Sequence, residues 1–226
     1  MARERRFSAQ ASHELRTPLT VLRGELEELV TRSTENKESA ERALDSADKL
    51  VELVEALLLF GRAEARFHTG DLELLNLADI VRDELDRSAK SNNLRGHFIT
   101  DLPDEVLVLG NEQLLGRAVS NLLDNAAKYG APGTPAEISV QVREGAAFLT
   151  VRDHGVGVPQ EYRQRIFEPF FRDPRARSSR PGHGLGLTLA RAVAHAHGGD
   201  LRFSPGSTEG SVFELQIPTF RHVTAG

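Results

Sequence analysis

A histidine and a glutamate stand side by side in the stretch SHELRTPLT, residues 12–20. An imidazole that faces water can act as a nucleophile, and a neighbouring carboxylate can accept the proton of one ring nitrogen. Pro18 follows His13 and Glu14 at a position where proline would remove a helical hydrogen bond and cost about 3 kcal/mol. A surface histidine with chance neighbours is the alternative, but so costly a helix breaker indicates a functional reason.

In a helix, His13 would point away from the apolar side of this stretch. Because a helix turns about 100° per residue, His13 lies about 180° from Leu22. Thr17 shares the face of His13, one turn further on. Pro18 cannot donate to the carbonyl of Glu14, so the helix is expected to bend there and to leave that carbonyl free. The stretch therefore predicts a solvent-facing imidazole on a bent helix.

A second set of polar side chains lies in NLLDNAAKY, residues 121–129. Asn121, Asn125 and Lys128 follow one another at spacings of four and three, so they share one face of a helix. Amide oxygens suit Mg²⁺, and a lysine ammonium suits phosphate oxygens. An ordinary polar helix face has the same pattern, so these residues alone leave both interpretations open.

The stretch VRDHGVGVP, residues 151–159, follows a predicted strand directly. Asp153 could accept a hydrogen bond from the exocyclic amine of adenine. Gly155 and Gly157 would let the backbone approach a flat ring closely, because glycine has no Cβ. A bare D-x-G-x-G pattern is also common in plain turns.

A second glycine-rich stretch, PGHGLGLTLARAV, places Gly182, Gly184 and Gly186 just before a predicted helix. The free N–H groups and the dipole at a helix start attract anions such as phosphate. The spacing matches neither the P-loop nor the dinucleotide fingerprint. Upstream, RIFEPFFR, residues 165–172, carries three phenylalanines among charged residues, which indicates either a lid over a ligand or a local apolar cluster.

The first part of the chain has the composition and periodicity of paired helices. Leucines in residues 15–29 and apolar residues in 40–57 alternate spacings of three and four, and the polar stretch TRSTENKES separates them. This predicts an all-α hairpin of two antiparallel helices. Its apolar seams exceed what a lone hairpin can bury, so we expect two copies to pair as a dimeric four-helix bundle. Packing against the second half of the same chain is the alternative.

From about residue 72 the periodicity becomes mixed. Helices are predicted for ADIVRDELDRSAKSNN, NEQLLGRAVSNLLDNAAKYG and LTLARAVAHAHGG, and strands for HFIT, EVLVLG, AEISVQV, AAFLTVRD, LRFSP and SVFELQIP. Helices and hairpin-like strands alternate here without a strict βαβ order. The pattern predicts an α+β two-layer sandwich.

The composition of the chain disfavours several classes of protein. The chain of 226 residues has no cysteine and a net charge of −5, which excludes disulfides and thiolate metal sites and disfavours broad nucleic-acid binding. No apolar run reaches the roughly 18–20 residues that span a bilayer. We therefore expect the chain as given to be cytoplasmic.

The stretch FSAQASHELRTPLTVLRGELEEL closely resembles the phosphoacceptor box of sensor histidine kinases of bacterial two-component systems. The asparagine, first glycine, phenylalanine and second glycine boxes of that family resemble the four later stretches, in the same order. The resemblance implies that His13 accepts phosphate from ATP, that Glu14 is the general base and that Pro18 bends the helix. It also implies that Thr17 helps orient the water that removes phosphate from the partner.

The resemblance further implies an ATP-binding domain of the histidine kinase and gyrase type, with Asn125 as the Mg²⁺ ligand. The other nucleotide-binding residues that it implies are Asn121, Lys128, Tyr129, Asp153, Gly155, Gly157, Phe170, Arg172, Gly182, Gly184, Leu185, Gly186 and Leu187. The lid between the last two boxes, DPRARSSR, is short.

From these patterns and the resemblance we expect a phosphoacceptor hairpin at 1–67, a linker at 68–75, the ATP-binding domain at 76–220 and a tail at 221–226. The implied partners are a second copy of the chain and the receiver domain of a response regulator, with no nucleic acid. A membrane would be involved only through a sensor region upstream of this chain, in a longer protein anchored in the inner membrane.

The sequence disfavours three alternatives to a protein-histidine kinase. Gyrase-type ATPases carry a glutamate base where this chain has Asn121, and an amide cannot take a proton from water. An anti-sigma type serine kinase would lack the box around His13. A scaffold without activity would not need the full polar set. The other histidines, His154, His183, His195 and His197, lack metal-ligand spacing and are expected to be structural or superficial.

Overall fold

The chain divides into two compact units, Met1–Ala65 and Arg66–Gly226. This computed structural model describes residues 72–91, 98–174, 184–205 and 210–220, together with Gly24 and Ala47. The predicted helical hairpin and its dimer, the tail at 221–226 and five of the predicted site residues lie outside the described residues. Those five are His13, Glu14, Thr17, Pro18 and Gly182.

The described part of the second unit contains strands and helices in a mixed order. The strands are β1 (Glu73–Asn76), β2 (Phe98–Asp101), β3 (Leu107–Gly110), β4 (Ala136–Arg143), β5 (Ala146–Asp153), β6 (Asp200–Pro205) and β7 (Ser211–Pro218). The helices are α1 (Leu77–Ser91), α2 (Glu112–Tyr129) and α3 (Gly186–Ala196), with short 3₁₀ helices at Gln160–Tyr162 and Arg165–Phe167. The predicted strands and helices of this unit are confirmed, whereas β1 and both 3₁₀ helices were not predicted.

Five strands form one mixed sheet in the order β2-β4-β5-β7-β6. Only β2 and β4 run parallel, and the other neighbours are antiparallel. Along β5 and β7 buried residues alternate with half-exposed ones, and α2 and α3 contact these strands. The sheet therefore buries one face under helices, which confirms the two-layer α+β sandwich.

The start of the second unit contains a strand that the sequence did not predict. Glu73–Asn76 pairs antiparallel with β3, although the sequence assigned 68–75 to a linker. The Asn76 Oδ1 atom accepts hydrogen bonds from the N–H groups of Ala78 (3.2 Å) and Val106 (2.8 Å). Because four residues carry too little periodicity and their partners lie about thirty residues away, the pattern could not separate this strand from a linker.

Histidine 197 joins the end of α3 to the start of α2. Its Nδ1 atom donates to the Val193 carbonyl at 2.7 Å, and its Nε2 atom accepts the N–H of Asn111 at 3.1 Å. The Asn111 side chain in turn caps α2 by accepting the N–H of Leu114. Burial lowers the pKa of His197, although the bond to Val193 opposes the shift. The structural role expected of this histidine is confirmed.

Acidification is expected to destabilise the protein through His197. Its pKa in the folded state lies below the ordinary value of 6.5, so the unfolded chain takes up the proton first as pH falls. The free energy of unfolding should therefore decrease as the pH falls below about 6.5. At higher pH the histidine is neutral in both states, and its contribution should not change with pH. Urea unfolding followed by far-ultraviolet circular dichroism across this range measures the effect, since the chain has no tryptophan.

His197→Asn keeps an N–H donor but does not titrate in this range, so this variant should lose part of the pH dependence. His195→Gln, at an exposed ring on the same helix, is the matched control and should keep it. An unchanged slope in the His197 variant would contradict the assignment.

Candidate functional site

The polar face of α2 supplies the first part of the site. Asn121, Asn125 and Tyr129 are half-buried there, and Lys128 is exposed in the last turn. The opposite side of α2, including Leu115 and Leu122, is buried in the core, which orients the polar side outward. The buried Nδ2 atom of Asn121 has no hydrogen-bond partner in the part of the chain that the structure describes. A buried amide donor of this kind is satisfied when a ligand accepts its hydrogen bond.

Asp153, at the end of β5, is the deepest acidic group of the site. Its side chain is only 2% exposed, and its Oδ1 atom accepts the N–H groups of Gly155 (2.9 Å) and Ser211 (3.2 Å). Burial raises the pKa of Asp153, whereas the two backbone N–H bonds oppose the increase. The backbone therefore fixes the direction of a buried carboxylate, which can accept a hydrogen bond from a ligand amine.

Two glycines bring the loop after β5 against the end of α2 and the start of β7. A Cβ at Gly155 would lie 1.8 Å from the carbonyl oxygen of Tyr129. A Cβ at Gly210 would lie 2.0 Å from the carbonyl oxygen of Asp153. Neither position accepts a side chain without movement of the backbone, so glycine at both is what places Asp153 beside α2.

The start of α3 completes the polar part of the site. A Cβ at Gly186, the first residue of α3, would lie 3.2 Å from the Oδ1 atom of Asn121. Leu187 is half-buried, and Leu185 is buried, with 1% of its surface exposed. The N–H groups of the first turn of α3 therefore lie close to the polar face of α2, which is the arrangement that binds an anion.

Residues 165–172, here called the phenylalanine segment, adjoin the start of α3. The N–H of Phe170 donates to the Gly184 carbonyl at 3.0 Å. Phe170 has a φ of 62° and is 54% exposed, and Arg172 is half-buried. The Phe171 ring packs against Tyr162, with 5.3 Å between ring centroids. The segment is thus attached at its backbone while one aromatic ring remains open to solvent.

The structure brings most of the predicted site residues together. Close contacts connect Asn121 with Gly186, Tyr129 with Gly155, Phe170 with Gly184, and Asp153 with Gly155. Gly157, with a φ of 67°, contacts the backbone of Gly210. The roles of Asn125, Lys128 and Arg172 in this site stay predictions.

Sequence reasoning missed three residues that shape the site. Ser211 and Gly210 hold Asp153, and Thr188 donates from its Oγ1 atom to the Phe167 carbonyl at 3.0 Å. The glycine before a strand was a visible signal for Gly210. Ser211 and Thr188 gave no signal, because their partners are distant in sequence.

The remaining histidines of the described part each contact one carboxylate at hydrogen-bond distance. His154 Nε2 lies 2.9 Å from Glu137 Oε1, and His195 Nε2 lies 3.0 Å from Asp200 Oδ1. Among the described residues no three histidine, aspartate or glutamate side chains are grouped closely enough to hold a metal ion. Within the same residues no helix has the length and apolar content needed to cross a membrane.

Comparisons with known protein families match both parts of the chain. Residues 3–66 match the His Kinase A (phospho-acceptor) domain, and residues 110–221 match the histidine kinase-, DNA gyrase B- and HSP90-like ATPase. The sensor-like histidine kinase SenX3 of Mycolicibacterium smegmatis is 33% identical over 225 residues, covering 97% of this chain and 58% of that protein. Sensor histidine kinase WalK of Bacillus subtilis is 31% identical over 96% of this chain and 37% of its own length.

Solved structures give the same result. The mycobacterial sensor histidine kinase MprB is 31% identical, with a TM-score of 0.57 over 67% of this chain and 99% of that one. Full-length ShkA, solved in complex with AMPPNP, is 24% identical and shares the fold, with a TM-score of 0.72 over 95% of this chain and 46% of that one.

Together, the sandwich and its glycine-lined polar site define an ATPase domain of the histidine kinase, gyrase B and HSP90 class. The phosphoacceptor match adds the second domain, and the chain belongs to the sensor histidine kinases of two-component systems. It spans about a third to three fifths of the length of the curated relatives SenX3 and WalK.

Replacing Gly155 by alanine is expected to disrupt the site. The new Cβ would collide with the Tyr129 carbonyl, so the loop carrying Asp153 would have to move away from α2. We expect a loss of about 2 kcal/mol or more in the free energy of unfolding and at least about tenfold weaker ATP binding. Urea unfolding and calorimetric titration with ATP measure the two effects.

Gly24→Ala is the control, because the exposed Gly24 has no atom within 4 Å of its Cβ position. This substitution should leave ATP binding unchanged. A Gly155→Ala protein with unaltered affinity would show that the close approach to Tyr129 is not needed.

Proposed function

We propose that this chain is the catalytic core of a kinase that phosphorylates itself on His13 with ATP and then transfers the phosphoryl group to an aspartate of a response regulator. The observation that carries the proposal is the junction of α2 and α3, where Asn121 meets the first residue of a helix that can bind phosphate. The buried, backbone-oriented Asp153 supports the adenine end of the same site.

Within this site each end of ATP meets a different chemistry. Asp153 would accept the exocyclic amine of adenine, and Tyr129 would pack near the base. Gly155 and Gly157 would allow the ring to approach the backbone. The N–H groups at Gly184–Leu187 would bind the phosphates, and Lys128 and Arg172 would add positive charge. Phe170 and Gly182 would line the same site from the lid side.

The residues of α2 fit a magnesium ion that accompanies ATP. Amide oxygens are hard ligands that suit Mg²⁺, and the Nδ2 of Asn121, which has no partner among the described residues, would be available to donate to a phosphate oxygen beside that ion. We assign Asn125 as the protein ligand and Asn121 as its support. Mg²⁺ would supply charge neutralisation between the phosphate oxygens.

The proposed reaction has two transfers. A ring nitrogen of His13 attacks the γ-phosphorus, the bond from that phosphorus to the bridging oxygen breaks, and ADP leaves while Glu14 accepts the ring proton. The phosphorus–nitrogen bond then breaks as an aspartate carboxylate of the regulator takes the phosphoryl group. In the opposite sense, Thr17 would orient a water that hydrolyses the regulator's phosphoaspartate.

The residue at position 121 favours transfer to a histidine over hydrolysis. Gyrase-type enzymes use a carboxylate base one turn before the metal asparagine, whereas Asn121 presents an amide that cannot accept a proton from water. The site would therefore hold ATP without hydrolysing it quickly, which is a requirement for donating its γ-phosphoryl group to His13.

The proposed assembly is a homodimer of the phosphoacceptor hairpin, on which the receiver domain of the regulator docks near His13. The phosphoacceptor match supports this arrangement. We place the reaction in the cytoplasm, and we expect the full-length parent protein to be anchored in the inner membrane through an upstream sensor region.

His13 is expected to carry all the phosphate that the chain takes from ATP. Incubation with radiolabelled ATP followed by mass mapping should locate the label on His13, and His13→Gln should abolish it. The bond should be labile in acid and stable in base, because it joins phosphorus to nitrogen. His195→Gln is the matched control and should incorporate label normally.

An acid-stable label would instead indicate a serine kinase, and label retained in the His13 variant would refute the phosphoacceptor assignment. Absence of label in a protein that binds ATP would indicate a scaffold.

Asp153→Asn is expected to weaken ATP binding at least about tenfold while leaving the fold intact. The asparagine can still accept the N–H groups of Gly155 and Ser211 with its oxygen, but it would then present an amide donor to the adenine amine. Calorimetric titration with ATP measures the loss. Asp86→Asn, at an exposed position on α1, is the control, and equal affinities in the two variants would remove Asp153 from the adenine site.

A further inference from the structure

We propose that Thr188 and Arg191 of α3 are positioning residues that hold the phenylalanine segment against the start of the nucleotide site. The proposal deepens the proposed function and rests on it for the nucleotide. The two side chains lie three residues apart, on one side of α3, and both contact Phe167.

The first contact holds the backbone. The hydroxyl of Thr188 donates to the Phe167 carbonyl at 3.0 Å, and Thr188 is only 3% exposed. The hydrogen bond is partly buried, so its loss would leave the Phe167 carbonyl with limited access to water in place of its donor. It attaches the 3₁₀ helix Arg165–Phe167 to the first turn of α3.

The second contact holds the ring. The guanidinium carbon of Arg191 lies 4.9 Å from the centroid of the Phe167 ring, within the range of a cation–π interaction. The Nε atom of Arg191 donates to Asp200 Oδ1 at 3.3 Å, which restrains the guanidinium over the ring. Phe167 is therefore attached to α3 through both its carbonyl and its side chain.

The part that needs this restraint is Phe170. A φ of 62° is unfavourable for a residue with a Cβ, and the side chain is too exposed to offset that cost by burial. The conformation must therefore be held by neighbours, which here include the hydrogen bond from the Phe170 N–H to Gly184. Gly184 itself has a φ of 75°, and a Cβ there would lie 2.7 Å from the Phe171 carbonyl oxygen.

The restraint is transmitted to the nucleotide site through Gly184, since this glycine lies two residues before the start of α3. Thr188 and Arg191 restrain Phe167 by the two contacts described above. The restrained segment keeps Phe170 in its unfavourable backbone conformation. The N–H of Phe170 then donates to the Gly184 carbonyl and restrains the backbone there. Without the first two contacts, the backbone that would bind the phosphates should lose part of its order before ATP arrives, which lowers affinity.

Amide hydrogen exchange of the Phe170 N–H tests the first half of this proposal without any nucleotide. Thr188→Val removes the hydroxyl at nearly constant shape, and Arg191→Gln removes the cation. We expect exchange at Phe170 to accelerate about fivefold or more in each variant, with the amides of β5 unchanged.

The matched controls are Thr150→Val, on the half-exposed face of β5, and Arg202→Gln. Arg202 also donates to Asp200, at 3.4 Å, but it is not among the cations placed over Phe167. Both controls should exchange like the unsubstituted protein. Unchanged protection of Phe170 in the Thr188 and Arg191 variants would overturn the proposal.

The KM for ATP tests whether the restraint reaches the nucleotide site. In the autophosphorylation reaction the KM for ATP should rise about fivefold or more in Thr188→Val and Arg191→Gln, with kcat at saturating ATP nearly unchanged. Thr188→Ser keeps the hydroxyl and should restore the KM. A rise in Phe170 exchange with an unaltered KM would also overturn the proposal.

An unsubstituted protein that fails to bind ATP would refute the proposed function instead. The exchange measurement would still decide whether α3 holds the segment. The two failures are therefore distinguishable.

Discussion

The carboxylate of Asp153 is the group around which the described half of the molecule is organised. A buried acidic group is stable only when its oxygens receive hydrogen bonds, and here two backbone N–H groups supply them from the following loop and from β7. Both donors can approach only because neighbouring positions lack a Cβ. The backbone of Gly155 lies against the carbonyl of Tyr129 at the end of α2, and the backbone of Gly210 lies against the carbonyl of Asp153 itself. One carboxylate thereby sets the relative positions of β5, β7 and α2.

Helix α3 connects this region to the rest of the site through three different parts of its length. Its first residue meets Asn121, its middle holds Phe167 through Thr188 and Arg191, and His197 after its end bonds to Asn111 ahead of α2. The helix is mostly buried on its alanine-rich side, so it has little freedom to move without disturbing the core. A rigid element that contacts both the start and the middle of α2 is suited to hold phosphate-binding N–H groups in place.

The sequence predicted the elements of this half well because long segments carry clear periods. The apolar side of α2 and the alternation in β4, β5 and β7 extend over eight or more residues each. Short elements with distant partners escaped: β1 has four residues and pairs with β3, and each 3₁₀ helix has three. The polar side of α2 and the glycines were recognisable as a site, whereas Ser211 and Thr188 were not, since ordinary hydroxyl residues reveal their role only when a distant backbone group is placed beside them.

The single parallel strand pair of the five-stranded sheet, β2 with β4, affects the order in which the strands fold. β2 meets β4 in a register that opposes Phe98 with Ala136, so the intervening chain, which contains β3 and α2, must be traversed before this edge can close. The β4–β5 hairpin requires only two connecting residues, and β6 and β7 are near neighbours in sequence. Loop-closure entropy therefore favours a nucleus at the β4–β5 and β6–β7 hairpins, with β2 joining late. The first strand of the five-stranded sheet in chain order, β2, would then be among the last parts of that sheet to form, after the nucleotide-binding side is already in place.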